Sequence, residues 1–249
     1  MPRNCWASEL GGCSPKLSGE HIFSKGLFSD EHVTVEGFSW CKEPRRIGIG
    51  ALTANVLCTT HNNLLSEVDN EATVFFRCLR ESARLSGVRG RLRQKRWNAK
   101  RVRVSGVVLE RWFLKTLINL RFCHPDEFSW PAEPVAETGK IPASWVRRAF
   151  GEEPLPERVG LYSAARVGAP VYLSDTVAFS PLTNGGQLMA GLLEFRGLQF
   201  VMSLVPMKEG TTVPWSEDER WCHAQLTYHQ AQIEFKAGAY RSSLIDIDW

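Results

Sequence analysis

Four of the seven cysteines lie in the first quarter of the chain, and this clustering most constrains what the chain can fold into. One of them begins a Cys-x-x-His sequence, from Cys58 to His61, which has the spacing of half a zinc site. Tetrahedral zinc needs two further ligands, for which Cys5 and Cys13 are the obvious candidates and Cys41 can replace either. The sequence therefore predicts a structural zinc ion held by Cys5, Cys13, Cys58 and His61. The alternative is that the cysteines are buried thiols and that His61 is an ordinary surface residue.

An acid and a histidine stand side by side at Glu20 and His21, and an amide, Asn62, follows the zinc half-site directly. Carboxylate and amide oxygens are the ligands that Mg²⁺ and Mn²⁺ prefer, and Asp69 is a further candidate of this kind. A histidine that is neutral near pH 7 can take a proton from water. The sequence therefore predicts a phosphodiester-cleaving site in which Glu20 and Asn62 hold the cation and His21 activates water. In a competing interpretation, His61 faces this cation and the chain holds no zinc.

Two segments, 18–27 and 55–69, resemble the two halves of the HNH endonuclease superfamily. The first half is similar to the EHI sequence of bacterial members. The second is similar to their LC-x-x-CN sequence and to the corresponding part of phage recombination endonuclease VII. The resemblance covers roughly residues 5–75.

The resemblance implies a ββα-metal fold in which His21 is the general base, and Glu20 and Asn62 hold the catalytic Mg²⁺ or Mn²⁺. It also implies that Asn55 takes the position of the asparagine that braces the loop by hydrogen bonds to the backbone. Bacterial proteins of this kind with an extra domain are associated with defence against phage, which we take as an expectation only.

Positive charge is concentrated between Arg77 and Arg103, where eleven Lys or Arg residues accompany one acid, Glu81. A solvated helix face normally intersperses acids that form i,i+4 pairs, and here they are missing. We therefore expect this segment to bind the phosphates of double-stranded DNA. The residues expected to make that contact are Arg89, Arg91, Arg93, Lys95, Arg96, Lys100, Arg101 and Arg103.

Hydrophobic periodicity predicts an α+β fold in three parts. Residues 1–86 are expected to form the ββα-metal module, residues 87–152 a basic helical segment, and residues 153–249 a mainly β accessory domain. Within these parts the pattern predicts helices at 64–86, 107–122 and 142–150, and strands at 159–162, 176–179, 188–195, 198–205 and 226–235.

Composition limits where the chain acts. The hydrophobic share of 43% is enough for a packed core, which excludes a disordered chain. No apolar run approaches the ~20 residues that cross a bilayer, and the first residues lack the apolar core of a signal peptide. We therefore expect a cytoplasmic protein without membrane contact.

Three functions are compatible with these features. The leading hypothesis is a metal-dependent endonuclease that cleaves or nicks double-stranded DNA, with the third domain supplying target choice, regulation or a protein partner. The second is a non-catalytic, zinc-stabilised nucleic-acid-binding protein in which Glu20 and His21 are structural. The third is an adaptor whose basic segment binds an acidic protein.

Overall fold

The computed structural model describes residues 5–28, 30–38, 40–92, 97–123, 129–131, 141–163, 176–195, 198–208, 210–213 and 224–249. Helices and strands are mixed along the chain, which confirms the predicted α+β class. The helices are α1 (Thr59–Leu64), α2 (Ser66–Arg91), α3 (Gly106–Cys123) and α4 (Ala143–Phe150). The strands are β1 (Leu17–His21), β2 (His32–Glu36), β3 (Arg45–Gly48), β4 (Thr53–Cys58), β5 (Lys100–Ser105), β6 (Gly160–Ser163), β7 (Thr176–Asn184), β8 (Gln187–Phe195), β9 (Leu198–Ser203), β10 (Thr212–Val213), β11 (Ala224–Gln225), β12 (Thr227–Tyr228), β13 (Gln232–Ala237) and β14 (Tyr240–Asp248).

The described strands form a large sheet, a small sheet and two strand pairs. The large sheet has seven strands in the order β12-β6-β9-β8-β7-β2-β3, and the small one has three in the order β13-β14-β5. All neighbours are antiparallel except β2 with β7 and β14 with β5, which are parallel. The strand pairs are β10 with β11 and β1 with β4, and α1 follows directly on β4.

Helix α3 lies at the centre of the fold. It packs against α2, α4 and strands β4, β6 and β9, and its residues from Trp112 to Arg121 are all buried. A helix that is apolar nearly all round is expected to be buried in this way. The long helix α2 presents one apolar stripe to it, made by Val68, Ala72, Phe75, Phe76 and Leu79.

The predicted helices 107–122 and 142–150 correspond to α3 and α4. The predicted helix 64–86 is continued to Arg91 in α2, and a separate short helix, α1, precedes it. Asn62 lies inside α1, whose N-cap is Cys58.

The expectation of a helical basic segment is wrong for residues 100–105, which form β5. Val102 and Val104 alternate there with Arg101 and Arg103, and this period of two fits a strand with one face on the core. The sequence reading also missed β14, β5's parallel partner.

The sheets join the three predicted parts of the chain. Strands β2 and β3, from residues 1–86, extend the sheet that contains β6 to β9, and β5 pairs with β14 near residue 249. The predicted boundaries at 86 and 152 are crossed by continuous sheets. In the described part of the chain, every helix is too short or too polar to cross a membrane.

Candidate metal centre

The cysteine cluster is built where the β1–β4 pair meets α1. Cys58 is the last residue of β4, lies opposite Leu17 of β1, and caps α1. His61 is in the first turn of α1, so the Cys-x-x-His spacing turns both side chains to one side. The N-terminal loop supplies Cys5, whose sulfur accepts a hydrogen bond from the Cys58 backbone N–H at 3.3 Å.

Four ligand atoms converge in this cluster. The Sγ atoms of Cys5, Cys13 and Cys58 lie 3.4, 3.5 and 3.3 Å from His61 Nδ1, and all four atoms lie within 4.8 Å of one another. Zn–S and Zn–N bond lengths in a tetrahedron require S···N separations of about 3.6 Å and S···S separations of about 3.8 Å. The S···N separations are close to those of a zinc tetrahedron, and the four atoms are near enough to hold an ion of that size.

One sulfur of the cluster is prepared for ionisation. Burial opposes the thiolate of Cys58, but hydrogen bonds from His61 and Ser14 outweigh it and lower the Cys58 pKa to about 6. Burial instead raises the pKa of Cys5, and it raises that of Cys13 to about 12 with help from the neighbouring sulfurs. Thiolates are the zinc-binding form of cysteine, and the charge of a bound metal ion would lower the pKa values of Cys5 and Cys13.

These distances confirm that Cys5, Cys13, Cys58 and His61 are close enough to hold a metal ion such as zinc. Cys41 does not replace any of them, because its thiol contacts the backbone carbonyls of Val35 and Glu43. The wide spacing between Cys5 and Cys13 is accommodated by a loop that contains a short 3-10 helix.

A second polar cluster surrounds Glu20, one strand residue before His21. The Glu20 carboxylate is 4% exposed and makes an ion pair with the ammonium group of Lys115, which is 1% exposed. The same ammonium group lies 2.7 and 2.8 Å from the two carboxylate oxygens of Asp69. Burial raises the pKa of Glu20, and the charge of Lys115 opposes this shift.

His21 ends β1 next to this cluster, opposite Thr53 of β4. Burial lowers its pKa, and the charges of Lys25 and Lys115 lower it further, whereas Asp69 has the opposite effect. Its Nδ1 atom is buried without a hydrogen-bond partner among the described residues. His21 is therefore a neutral imidazole near pH 7, the form that accepts a proton.

The two asparagines named from the sequence lie in different surroundings. Asn62 in α1 donates from its side-chain nitrogen to the hydroxyl of Ser18 in β1 at 2.9 Å, which ties the helix to the strand pair. Asn55 is an exposed residue of β4. Asp69 belongs to α2 and not to the helix of Asn62, so the two side chains do not share a helix face.

Some of the basic residues expected to bind DNA form ion pairs with acidic residues. Lys100 pairs with Glu81 at 3.0 Å, and acids of β14 pair with Arg101 and Arg103 at 3.5 and 3.3 Å, through Asp246 and Asp248 respectively. The charge excess seen along the sequence is thus reduced by the tail strand, which pairs with β5 in register.

The remaining basic residues differ in surroundings. Arg89 donates to the Ser242 carbonyl at 2.6 Å and lies over the ring of Trp97. Arg91 is exposed at the end of α2. Arg93, Lys95 and Arg96 lie outside the described residues.

Sequence reasoning missed Lys115, together with Ser24 and Trp112, which complete its surroundings. In the sequence, Lys115 lies off the apolar stripe of the predicted helix 107–122. The available signal was that Leu114, Ile118 and Phe122 lie between the charged residues on that side, which is typical of a helix with both sides buried. A buried lysine in such a helix needs a charged partner.

Comparisons with protein-family models, with curated proteins and with solved structures find no match to this chain. The geometry of the two clusters is therefore the basis for a functional proposal.

Proposed function

We propose that the chain is a zinc-stabilised endonuclease of the HNH type that hydrolyses phosphodiester bonds in double-stranded DNA. The observation that carries this proposal is the unit formed by β1, β4 and α1. It holds the first part of segment 18–27 on β1 and residues 55–64 of the second segment on β4 and α1, so the helix follows directly on the second strand. The four metal-binding side chains lie at one end of this unit, two of them supplied by the N-terminal loop.

Zinc is the metal that the cysteine cluster fits best. Three sulfurs and one imidazole nitrogen are a common structural zinc set, and a set closed by four protein ligands leaves no position for substrate. The ion would link the N-terminal loop to the start of α1 and so hold Asn62 over β1. Its role is structural.

His21 is the proposed general base. Because its imidazole is neutral near pH 7, it can take a proton from the water that attacks phosphorus. The two-stranded pair fixes its backbone opposite Thr53, so the ring is positioned by a regular element and not by a free loop.

The expected Mg²⁺ or Mn²⁺ fits less well. Glu20, the proposed carboxylate ligand, faces the ammonium group of Lys115, and the side-chain nitrogen of Asn62 is bonded to Ser18. A divalent ion at Glu20 would have to replace Lys115, so we derive no step through such an ion. The cation requirement of cleavage is left to experiment.

Plasmid cleavage tests the proposal directly. We expect the wild-type protein to nick or linearise supercoiled DNA and His21→Ala to lower the rate by ~10²–10⁴-fold, as loss of a general base does. His32→Ala, at an exposed position of β2, is the matched control. Reactions with Mg²⁺ and with EDTA show whether a divalent ion is needed. Equal rates for wild-type and His21→Ala protein would remove His21 from the mechanism.

One observation favours a second candidate function, a non-catalytic zinc-stabilised protein that binds nucleic acid. In that protein the ion pair between Glu20 and Lys115 would be a structural contact and His21 a packing residue. Such a protein would bind duplex DNA but would not nick it, either with Mg²⁺ or with EDTA.

The salt dependence of binding locates the DNA contact in either case. Arg91 is exposed and is not one of the paired arginines of β5. We expect Arg91→Gln to lower the slope of log affinity against log salt by up to ~0.9. Asp246→Asn and Asp248→Asn should steepen the slope, because they release Arg101 and Arg103 from their partners. Asp30→Asn, whose partner Arg46 lies on β3, is the control. Unchanged slopes in all variants would show that this surface does not bind DNA.

A further inference from the structure

The ammonium group of Lys115 is fully engaged by carboxylates. It has three N–H donors, and three carboxylate oxygens surround it: one of Glu20 and both of Asp69. With the lysine side chain 1% exposed, water does not compete for these donors. Lys115 thus occupies the space between the two carboxylates, where a divalent cation would lie.

The surrounding side chains hold Asp69 in this geometry. The hydroxyl of Ser24 donates to Asp69 Oδ1 at 2.5 Å, and the indole N–H of Trp112 donates to the Ser24 hydroxyl at 2.8 Å. Trp112 is fully buried and lies one helical turn before Lys115 on α3. The lysine, its carboxylate partner and the hydroxyl that orients that carboxylate therefore belong to one hydrogen-bonded network across β1, α2 and α3.

Charge balance explains why a cation is needed there. The two carboxylates lie on the same ammonium group, with Glu20 buried and the Asp69 side chain 27% exposed. At this distance they repel each other, and either a positive charge or a proton must compensate them. Lys115 supplies a positive charge that cannot dissociate into solvent. A Mg²⁺ or Mn²⁺ ion beside it would add like-charge repulsion at short range, and Mg²⁺ also needs near-octahedral oxygen ligands at 2.0–2.1 Å.

We propose that Lys115 is the resident cation of the Glu20–Asp69 pair, and that this built-in ammonium group takes the place of a divalent metal ion in the native chain. Glu20 is then a partner of a lysine and not a metal ligand. The proposal concerns occupancy of the carboxylate pair and holds whether or not the chain cleaves DNA. If it does, cleavage proceeds without a metal ion on Glu20.

Manganese binding to the zinc-loaded protein tests the proposal, with free Mn²⁺ measured by electron paramagnetic resonance. Lys115→Met keeps much of the side-chain volume and leaves two carboxylates without a cation. We expect this variant to gain one Mn²⁺ site per chain, at least tenfold tighter than any site of the wild type. Adding Glu20→Gln to it should abolish that gain, whereas adding Glu43→Gln, an exposed acid outside the cluster, should not.

Comparison of the wild type with Glu20→Gln alone keeps the proposal testable if Lys115→Met does not fold. We expect the two proteins to bind Mn²⁺ equally. A Mn²⁺ site in the wild type that is lost in Glu20→Gln would overturn the proposal, as would a folded Lys115→Met protein that gains no site. Absence of plasmid cleavage bears on the proposed nuclease function only, because this readout is metal binding.

Discussion

Two polar clusters lie near opposite ends of the same strand pair, and they are suited to different cations. The cysteine cluster begins where Leu17 faces Cys58, and the carboxylate cluster lies three residues further along β1, about 10 Å away. The first offers three sulfurs and a nitrogen at distances that suit a metal ion. The second offers hard oxygen donors, yet the group between them is the ammonium of Lys115.

The difference lies in what each cluster draws from the rest of the chain. All four ligands of the cysteine cluster come from the first 61 residues, within reach of one short loop and one strand–helix junction. The carboxylate cluster is completed by Lys115, 95 positions after Glu20, on a helix that packs against β4. A local motif places donor atoms, but a distant side chain decides which cation they hold.

The largest expected effect is removal of a cysteine ligand. Purified protein should carry about one zinc ion per chain, and Cys58→Ser should lose it and unfold the N-terminal region. Structural zinc contributes on the order of 10 kcal/mol to the folding of small zinc domains. Metal analysis and thermal unfolding measure both effects. Cys41→Ser, buried but outside the cluster, is the control and should keep its zinc. The zinc assignment would be contradicted if the wild-type protein carried no zinc and Cys58→Ser left the unfolding temperature unchanged.

The next largest effect is loss of the buried ammonium group. Lys115→Met should lower the free energy of unfolding by about 3–5 kcal/mol in metal-free buffer, because it leaves the buried Glu20 carboxylate without its partner. Glu20→Gln in the Lys115→Met background should restore part of that loss, since one of the two charges is gone. Denaturant unfolding of the two single variants and the double variant gives the coupling. Additive losses would show that Glu20 and Lys115 do not form a pair.

A smaller effect concerns His21 and pH. Its pKa in the folded state is below the ordinary value of about 6.5, mainly because of burial. Its contribution to stability is therefore complete above about pH 6.5 and is lost as pH falls through the folded-state pKa. Stability of wild-type and His21→Gln protein should keep a constant difference above that pH, and the wild type should lose stability faster below it. Titration of the His21 ring by NMR measures its pKa directly. A pKa above 6.5 would reverse the sign of this pH dependence of stability.

The sequence predicted the Cys58–His61 half of the cysteine cluster because its information is local, and the grouping of cysteines in the first quarter of the chain indicated Cys5 and Cys13. A Cys-x-x-His spacing at a strand–helix junction turns both side chains to one side whatever the rest of the fold does. The helices α3 and α4 were also predictable, since a continuous apolar pattern and a proline before Ala143 mark them.

Long-range pairing explains what the sequence did not predict. The partner of Glu20 is on α3, and the acids that neutralise Arg101 and Arg103 are on β14, which joins β5 in parallel from the other end of the chain. The segment from Arg77 to Arg103 therefore contains almost no acids in the sequence, but acids from elsewhere in the chain pair with it in the fold. Periodicity within a segment carries no information about such partners.

Anomalous diffraction from crystals grown with both zinc and manganese ions distinguishes the two clusters, because it locates each metal by its absorption edge. We expect one zinc peak among Cys5, Cys13, Cys58 and His61, and no manganese peak between Glu20 and Asp69, where the Lys115 ammonium group should lie. A manganese peak on Glu20 with Lys115 displaced would contradict this expectation.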